Sequence, residues 1–296
     1  MIKRSIFTSR TLPYLLILPQ LAVTLTFFYW PAVQGLMRSF TLSDPFGGRS
    51  KFVWFDNFIT LFTDPLYLKS IVITCVFSAL VAFISISIGL FIATMANRAL
   101  RAKAVMRTLL IWPYAVAPAI SGILWLFLLH PSYGVVSLAI KQWFGFAWNP
   151  VLNGSHALSM VVMASAWKEI SYNFVFFMAG LQAIPMSLIE AAAIDGASPF
   201  RRFWTITVPL LSPTLFFVTV MNIIYSFFDT FGVIHTMTQG GPGGATNILV
   251  YKVYQDGFIG LNLGSSSAQS VVLMTIIITV TVLQFKYVER KVQYGG

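Results

Sequence analysis

The sequence predicts an all-α, polytopic membrane protein with six membrane-spanning helices. The chain is 57% hydrophobic and only 9% charged, whereas soluble domains carry about 25% charged residues. A span needs ~20 mainly apolar residues to cross the hydrocarbon layer, and six segments satisfy this length. The predicted spans are 12–37, 69–96, 106–130, 157–182, 207–234 and 265–288.

Two of these spans have features of their own. The basic stretch MIKRSIFTSR precedes the first span and resembles the start of a signal peptide. Because no clear small-x-small cleavage site follows, we expect a retained signal anchor. Pro113 and Pro118 lie in the third span and should kink it. Such kinks are tolerated in membranes where neighbouring groups or a cavity satisfy the freed backbone.

The basic residues predict the orientation of the chain. An excess of 19 Lys and Arg over 9 Asp and Glu would suggest nucleic acid as the partner of a soluble protein, but in a membrane protein it marks the cytoplasmic loops. With the N-terminus inside, twelve of these residues fall on the inner side and six on the outer side, with Lys168 inside a span. Both termini are therefore expected in the cytoplasm.

Residues 185–209, PMSLIEAAAIDGASPFRRFWTITVP, interrupt the apolar pattern between the fourth and fifth spans. Ser187 and Glu190 have the spacing of a capping box, and the alanines that follow are strong helix formers. Gly196 is placed to end this helix, and Ser198-Pro199 to start another. The segment is either a simple turn between two spans or a narrow, alanine-rich helical surface that enters a groove on another protein.

This segment also resembles the EAA loop of binding-protein-dependent ABC importers. The matching pattern is Glu190-Ala-Ala, three residues, Gly196, nine residues, Ile206, and then Val208-Pro209, where the family usually has Leu in place of Val208. Similarity to the sugar-type (maltose-type) permeases extends over most of the chain. It is carried by PYLLILPQL, IWPYAVAPAISGILW, WKEISYNFVFFMAGLQAIP, FFDTFGVIHTMTQGGP and SSSAQSVVLM.

The resemblance implies a type I ABC importer permease fold. The whole chain, 1–296, would form one transmembrane permease domain, and residues 185–206 would be its cytoplasmic coupling loop. The coupling residues carried over from the family are Glu190, Ala191, Ala192, Asp195 and Gly196. Glu190 would contact the ATPase and Gly196 would supply the turn.

The resemblance also implies the partners of the chain. They are a second homologous permease, two ABC ATPase subunits that bind the ATP and Mg, and an extracytoplasmic substrate-binding protein, in a bacterial inner membrane. Within the family, the chain resembles permeases of sn-glycerol-3-phosphate importers. The implied substrate is sn-glycerol 3-phosphate or a glycerophosphodiester, with a sugar or oligosaccharide as the alternative.

Polar residues inside the spans are candidates for the substrate path, since they are costly in lipid and usually face protein or water. The candidates are Lys168, Tyr172 and Asn173 in the fourth span, and Asn222, Tyr225 and Asp229, which share one face of the fifth together with Ser226. Ser121 and Trp125 share a face of the third. Interhelical hydrogen bonding is the alternative role for these residues. Lys168 could contact a phosphate, or it could simply be neutralised by Glu169.

Two other classes of membrane protein fit the sequence less well. An intramembrane enzyme is disfavoured because the sequence contains neither H-E-x-x-H nor G-x-S-x-G. A secondary transporter would need no ATPase-docking loop and often shows internal repeats, which are not evident here. No cofactor, metal or disulfide is expected for this chain, whose single cysteine, Cys75, lies in an apolar run. The outer loop GGPGGATN is either a flexible connector or a surface facing the binding protein.

Overall fold

The computed structural model of the protein describes residues 11–43, 50–98 and 103–288, which are mostly helical. The basic stretch that precedes the predicted signal anchor lies outside the described residues. The helices are α1 (Leu12–Thr24), α2 (Trp30–Arg38), α3 (Asp56–Thr63), α4 (Pro65–Arg98), α5 (Lys103–Ala115), α6 (Pro118–Leu129), α7 (Val135–Phe144), α8 (Gly154–Ala183), α9 (Met186–Ile194), α10 (Pro199–Arg202), α11 (Val208–Leu210), α12 (Ser212–Phe228), α13 (Phe231–Met237), α14 (Leu249–Tyr254) and α15 (Leu263–Leu283).

Short elements of other types connect or extend these helices. Among the described residues, π-helical turns occupy Leu25–Tyr29, Phe203–Thr207, Gln255–Ile259 and Gln284–Val288. Strands β1 (Thr41–Ser43) and β2 (Ser50–Phe52) pair antiparallel, with Thr41 opposite Phe52.

The lengths of the helices agree with a chain that crosses a membrane several times. Within the described ranges, the helices Leu12–Arg38, Pro65–Asn97 and Leu263–Lys286 are each long and apolar enough to span. Three bent pairs satisfy the same test when each pair is taken together: Thr108–Ala115 with Pro118–Leu129, Gly154–Ala183 with Met186–Ile194, and Pro199–Leu210 with Ser212–Phe228. By length and composition the described part of the chain therefore holds three to six spans.

The described residues fall into two compact units. The first contains the residues up to Thr63 together with Val253–Val272. Its centre is the buried Asn57 of α3, which donates hydrogen bonds from Nδ2 to the carbonyl oxygens of Ser39 (2.8 Å) and Thr41 (3.0 Å). A side chain at Gly264 would collide with the Thr41 carbonyl oxygen. These contacts fix α3 to the end of α2 and the start of α15.

The second unit contains Asp64–Lys252 and the described residues from Leu273 onwards. Its core lies where α4 packs along α8, and small residues on α4 allow the two backbones to approach closely. Gly89 is one of these, since an added Cβ would lie 2.8 Å from the Cβ of Asn173. Phe174, Phe177 and Val218 fill the adjoining space and are almost fully buried.

A polar cluster crosses the interior of this second unit, and we call it the amide node. Ser85 of α4 donates a hydrogen bond to Oδ1 of Asn222 on α12 (2.6 Å). Asn222 in turn donates from Nδ2 to Oδ1 of Asn173 on α8 (2.7 Å), and Asn173 donates back to Asn222 Oδ1 (3.2 Å). All three side chains are inaccessible to solvent. The node therefore joins three helices through paired polar groups.

Candidate functional site: a cavity at a helix break

The third predicted span is broken between α5 and α6. Its two halves meet at an angle of 107°. The break falls just before Pro118, because proline disfavours the helical conformation in the residue that precedes it; Ala117 has φ −58° and ψ 141°. Pro113 remains inside α5. The predicted kink is thus present, and it is a full break at one of the two prolines.

The start of α6 provides backbone donors that the helix itself does not use. Pro118 has no N–H, and the Ser121 amide is the first to bond back along the chain, to the Ala117 carbonyl oxygen (3.0 Å). The amides of Ala119 and Ile120 precede this bond, and the first amides of a helix have no intrahelical acceptor. The N-terminal end of a helix also carries a partial positive charge. This end of α6 therefore suits an anionic or strongly polar group.

The broken segment lines a cavity of about 420 Å³. Three elements form its walls: the α5–α6 break, one face of α8, and the end of α12. The lining residues are Tyr114, Ala115, Val116, Ala117, Pro118, Lys168, Glu169, Tyr172, Met221, Ile224, Tyr225 and Asp229. The unwound backbone lies beside this cavity, and membrane proteins tolerate non-helical backbone in such places.

The charged and polar groups of the cavity can bind a hydrophilic solute. Lys168 and Glu169 are 5% and 3% exposed, so these charges are largely shielded from solvent. Buried charges are costly unless they are paired, and the cavity that Lys168 lines also contains the carboxylates of Glu169 and Asp229. The hydroxyl of Tyr225 is buried and has no hydrogen-bond partner among the described residues. An unsatisfied buried hydroxyl at a cavity wall is a candidate ligand contact.

The structure brings some of the predicted path residues together and separates others. Lys168, Tyr172, Tyr225 and Asp229 all line the cavity. Asn173 and Asn222 belong instead to the amide node and are absent from the lining, so the alternative of interhelical hydrogen bonding describes their contacts.

The remaining predicted residues of the third and fifth spans also lie away from this lining. Ser226 donates a hydrogen bond to the Asn222 carbonyl oxygen (2.7 Å) inside its own helix. Ser121 is fully buried, and Trp125 packs on Trp167 with ring centroids 6.2 Å apart.

Sequence reasoning missed the part of the cavity that is made by the break itself. Apart from the Tyr114 hydroxyl, the side chains of residues 114–117 have no polar groups. The two prolines of this segment, Pro113 and Pro118, predict a kink, and the kink alone does not identify a cavity. An unwound backbone is itself a polar surface, and on that ground these residues could have been proposed as site residues.

The second candidate site is the 185–209 segment, where α9 and α10 meet at a glycine. Gly196 has φ +79°, a conformation that residues with a Cβ rarely adopt. The Ala197 amide donates to the Ala192 carbonyl oxygen (3.0 Å) and the Gly196 amide to that of Ala193 (3.1 Å). This pattern closes the helix end as in a Schellman motif. The predicted turn at Gly196 is therefore present.

The start of α10 also agrees with the sequence. The Ser198 side chain accepts a hydrogen bond from the Arg201 amide (3.3 Å), and Pro199 is the first helical residue. Arg202 donates from Nη1 to the Ile189 carbonyl oxygen of α9 (3.4 Å). This last bond links the two short helices to each other.

The predicted capping box at Ser187 and Glu190 is wrong. α9 begins at Met186, its N-cap is Pro185, and no side-chain capping bond is formed. The helix starts earlier than predicted because Pro185 has a fixed φ, here −59° with ψ 125°, which directs the chain into the helix at the next residue. Ser187 therefore lies within the first turn, and Glu190 is left exposed.

The outer surface of the 185–209 segment is unusually apolar for an exposed helix pair. Glu190, Ala191, Asp195 and Gly196 are exposed, and Ala192 is half-buried. Two large side chains, Ile194 and Phe200, are 86% and 75% exposed. Exposed apolar side chains rimmed by polar residues are typical of a protein–protein contact.

The three histidines have structural surroundings. The ring of His130 stacks on that of Tyr133 (3.8 Å) and the ring of His156 on that of Trp148 (5.0 Å). The ring of His235 stacks on that of Phe231 (5.4 Å). No group of three or more His, Cys, Asp or Glu residues able to hold a metal ion occurs among the described residues.

The glycine-rich loop GGPGGATN is an ordered turn rather than an extended linker. The Thr246 hydroxyl donates to the Gly241 carbonyl oxygen (2.9 Å) and lies 2.7 Å from the Thr238 hydroxyl. Lys69 donates from Nζ to the Gly243 carbonyl oxygen (2.9 Å). These bonds attach the loop to α4.

The fold of this chain matches that of chains in solved ABC transporters. Two solved chains of a bacterial alginate ABC transporter superpose with TM-scores of 0.81 and 0.83, covering 94% and 96% of this chain and 95% and 96% of theirs. The second is in complex with an alginate pentasaccharide-bound periplasmic protein. At 21% sequence identity this similarity shows the fold alone, and that fold is the one of ABC importer permeases.

Sequence comparison places the chain within a family of this class. Residues 46–294 match the family of binding-protein-dependent transport system inner membrane components, and the chain belongs to that family. Similar relatives are sn-glycerol-3-phosphate transport system permease proteins UgpA. The protein from Rhizobium meliloti (strain 1021) is 56% identical over 99% of this chain and 100% of its own length. Those from Brucella abortus biovar 1 (strain 9-941) and Agrobacterium fabrum (strain C58 / ATCC 33970) are 55% and 54% identical, over 98% of this chain and 98% and 99% of theirs. The chain is thus a transport permease component rather than an enzyme.

Proposed function

We propose that this chain is a permease subunit of an ATP-driven importer of sn-glycerol 3-phosphate or a glycerophosphodiester, located in a bacterial inner membrane. The observation that carries the proposal is the identity of 54–56% with near-full-length relatives that bear this name. The cavity at the helix break adds chemical support, because it combines an ammonium group, a helix N-terminus and hydrogen-bonding side chains.

The proposed topology has six crossings with both termini in the cytoplasm. In this arrangement α5 and α6 together make the third crossing, α8 the fourth and α12 the fifth. The 185–209 segment then lies on the cytoplasmic side, which the distribution of basic residues favours. The two compact units would act as a single permease domain over residues 1–296.

The proposed partners are those of an ABC importer. A second homologous permease would complete the translocation path, two ATPase subunits would bind ATP and Mg, and an extracytoplasmic protein would deliver the substrate. Binding of ATP would switch the pathway from inward- to outward-facing, and hydrolysis would reset it. Such a switch works only because ATP has different affinities for the two states.

In the cavity, we assign the phosphate to Lys168 and the start of α6. An ammonium group binds phosphate as a point charge, and helix N-terminal amides suit anions. The hydroxyl groups of the substrate would donate to Asp229 and pair with Tyr225. Tyr172 would complete the wall. Asn173 and Asn222 would support the path by holding the helices together.

At the cytoplasmic face, the α9–α10 pair would dock in a cleft of the ATPase. Glu190, Ala191, Ala192, Asp195 and Gly196 would form the contact ridge. The absence of a capping bond at Glu190 sharpens its test, because Glu190→Ala then removes an exposed charge without removing a helix cap. A transport defect in this variant would indicate lost docking.

Substrate uptake tests the proposal directly. A strain that lacks this subunit should fail to import labelled sn-glycerol 3-phosphate and should recover on complementation. Uptake of a labelled disaccharide by the same strain is the comparison. If the phosphoester still enters normally and the disaccharide does not, the substrate assignment is wrong.

A matched pair of glycine variants tests the coupling role. Gly196 and Gly145 both have positive φ, +79° and +64°, and a Cβ at either would meet no atom within 4 Å. Gly196→Val and Gly145→Val therefore introduce similar local strain. We expect only Gly196→Val to abolish the stimulation of ATP hydrolysis by loaded binding protein in the reconstituted importer. Equal effects of the two variants would contradict a coupling role.

A further inference from the structure

Helix α3 has three distinct faces, and one of them is apolar and exposed. The buried face contains Asn57 and Leu61, which are 9% and 3% exposed. Phe55, Ile59 and Phe62 recur at helical spacing and are 59%, 60% and 52% exposed. A third stripe, also exposed, is polar: it consists of Asp56, Thr60 and Thr63.

The apolar face continues into the segment before α3. The exposed rings of Phe52 and Trp54 pack against each other with centroids 4.9 Å apart. Phe40 contacts both Phe52 (6.4 Å) and Phe55 (5.5 Å). The result is a continuous aromatic surface of a size that single scattered apolar residues do not produce.

The position of α3 relative to the membrane is fixed by its buried face. Asn57 is hydrogen-bonded to the carbonyl oxygens of Ser39 and Thr41, directly after the helix Leu12–Arg38. A side chain at Gly264, at the start of the helix Leu263–Lys286, would meet the same Thr41 carbonyl and lie 3.2 Å from Asn57 Nδ2. α3 is therefore held at the level where two helices of spanning length end.

We infer that α3 is an interfacial helix that lies along the bilayer boundary, with Phe55, Ile59 and Phe62 in contact with lipid and Asp56, Thr60 and Thr63 facing water. A helix that has an apolar stripe beside a polar stripe lies in the plane of the interface. Trp and other aromatic residues are favoured at that depth. In the proposed topology, this boundary is on the outer side of the membrane. The inferred contact between α3 and lipid does not depend on that topology.

The composition of α3 also indicates which lipids it needs. Its sequence, DNFITLFT, contains no Lys or Arg. Electrostatic attraction to anionic lipids requires basic residues on the polar face. The contact is therefore made with the apolar part of the lipid layer and does not depend on anionic headgroups.

Three consecutive residues allow a matched experiment, since Ile59, Thr60 and Leu61 lie on the three different faces. Each is replaced by cysteine in full-length chain carrying Cys75→Ser, purified with its partner subunits and reconstituted in phosphatidylcholine vesicles. A nitroxide label at each site reports collisions with oxygen, which concentrates in lipid, and with a water-soluble nickel complex.

We expect the Ile59→Cys label to collide mainly with oxygen, the Thr60→Cys label mainly with the nickel complex, and the Leu61→Cys label with neither. Adding anionic lipid should leave these values unchanged. Phe55→Cys and Phe62→Cys should reproduce the result at Ile59, which guards against one variant that fails to assemble.

Two outcomes would overturn the inference. If the labels at 55, 59 and 62 collide with the nickel complex as often as the label at 60, the apolar face is in water. If they collide with neither reagent, a protein subunit covers the face. Because collision frequency reports environment rather than transport, either result is separate from a failure of the uptake assay.

Discussion

The amide node and the cavity are two polar regions of the same helices with opposite hydrogen-bonding states. In the node, the Asn222 side chain is hydrogen-bonded to those of both Ser85 and Asn173. One turn further along α12, the Tyr225 hydroxyl reaches the cavity without a partner among the described residues. Satisfied buried polar groups hold helices together, and an unsatisfied one that lines a cavity is a candidate ligand contact. Within one unit, we therefore expect the amide node to hold the helices together and the cavity to bind the transported solute.

The largest effect should come from removing the cation of the cavity. Lys168→Met is expected to lower phosphoester uptake about 10- to 100-fold, because a hydrogen bond to a charged group contributes ~1.5–3 kcal/mol. The amount of assembled importer is measured in parallel, and the double variant Lys168→Met/Glu169→Gln controls for the carboxylate left without its cation. Normal uptake per assembled importer in the single variant would remove the cavity from the substrate path.

A variant of the node should have the reverse phenotype. Asn222→Leu leaves the side-chain amide of Asn173 without its buried partner, whereas the Ser85 hydroxyl keeps its bond to the Val81 carbonyl oxygen (2.7 Å). An orphaned polar group costs about 1–3 kcal/mol. We expect a lower thermal unfolding temperature in detergent with little change in uptake per folded importer. A selective loss of transport with unchanged stability would mean that the node and the cavity are not functionally distinct.

The smallest effect is expected from removing the hydroxyl of Tyr225. Tyr225→Phe removes a group that makes no hydrogen bond to a described residue, so stability should be unchanged or slightly raised. If the hydroxyl contacts the substrate, its loss costs about 0.5–1.5 kcal/mol and should raise the KM for uptake up to about tenfold with assembly intact. An unchanged KM would limit the proposed contacts to Lys168, Asp229 and the start of α6.

Local signals in the sequence predicted the helices and several of the turns at which they end and begin. Gly196 and Ser198-Pro199 act through their own backbone and nearest neighbours, so their roles could be derived without the fold. The wrong capping box at Ser187 shows the precision of such signals, since the helix starts two residues earlier, with Pro185 as its N-cap, and the motif is lost. The long apolar runs predicted the three single helices of spanning length, Leu12–Arg38, Pro65–Asn97 and Leu263–Lys286, within a few residues.

Non-local features could not be derived in the same way. Asn222 and Tyr225 are three residues apart on one face of α12, yet one bonds to α8 and the other faces a cavity. That choice depends on how closely α4, α8 and α12 approach, which small residues such as Gly89 determine. The 107° angle at Pro118 is equally a product of the surrounding packing.

The α9–α10 pair has a mechanical consequence that follows from its bonding. Its hydrogen bonds close within the pair, and the Arg202 guanidinium ties one helix to the other. The backbone leaves helical geometry at Ile184, before the pair, and a π-helical turn follows it at Phe203–Thr207. The pair is thus one internally bonded unit, set off from α8 and α12 by a departure from α-helical geometry on each side. If a partner displaces this unit, we expect the displacement to act on the ends of α8 and α12, the two helices that carry Lys168 and Tyr225.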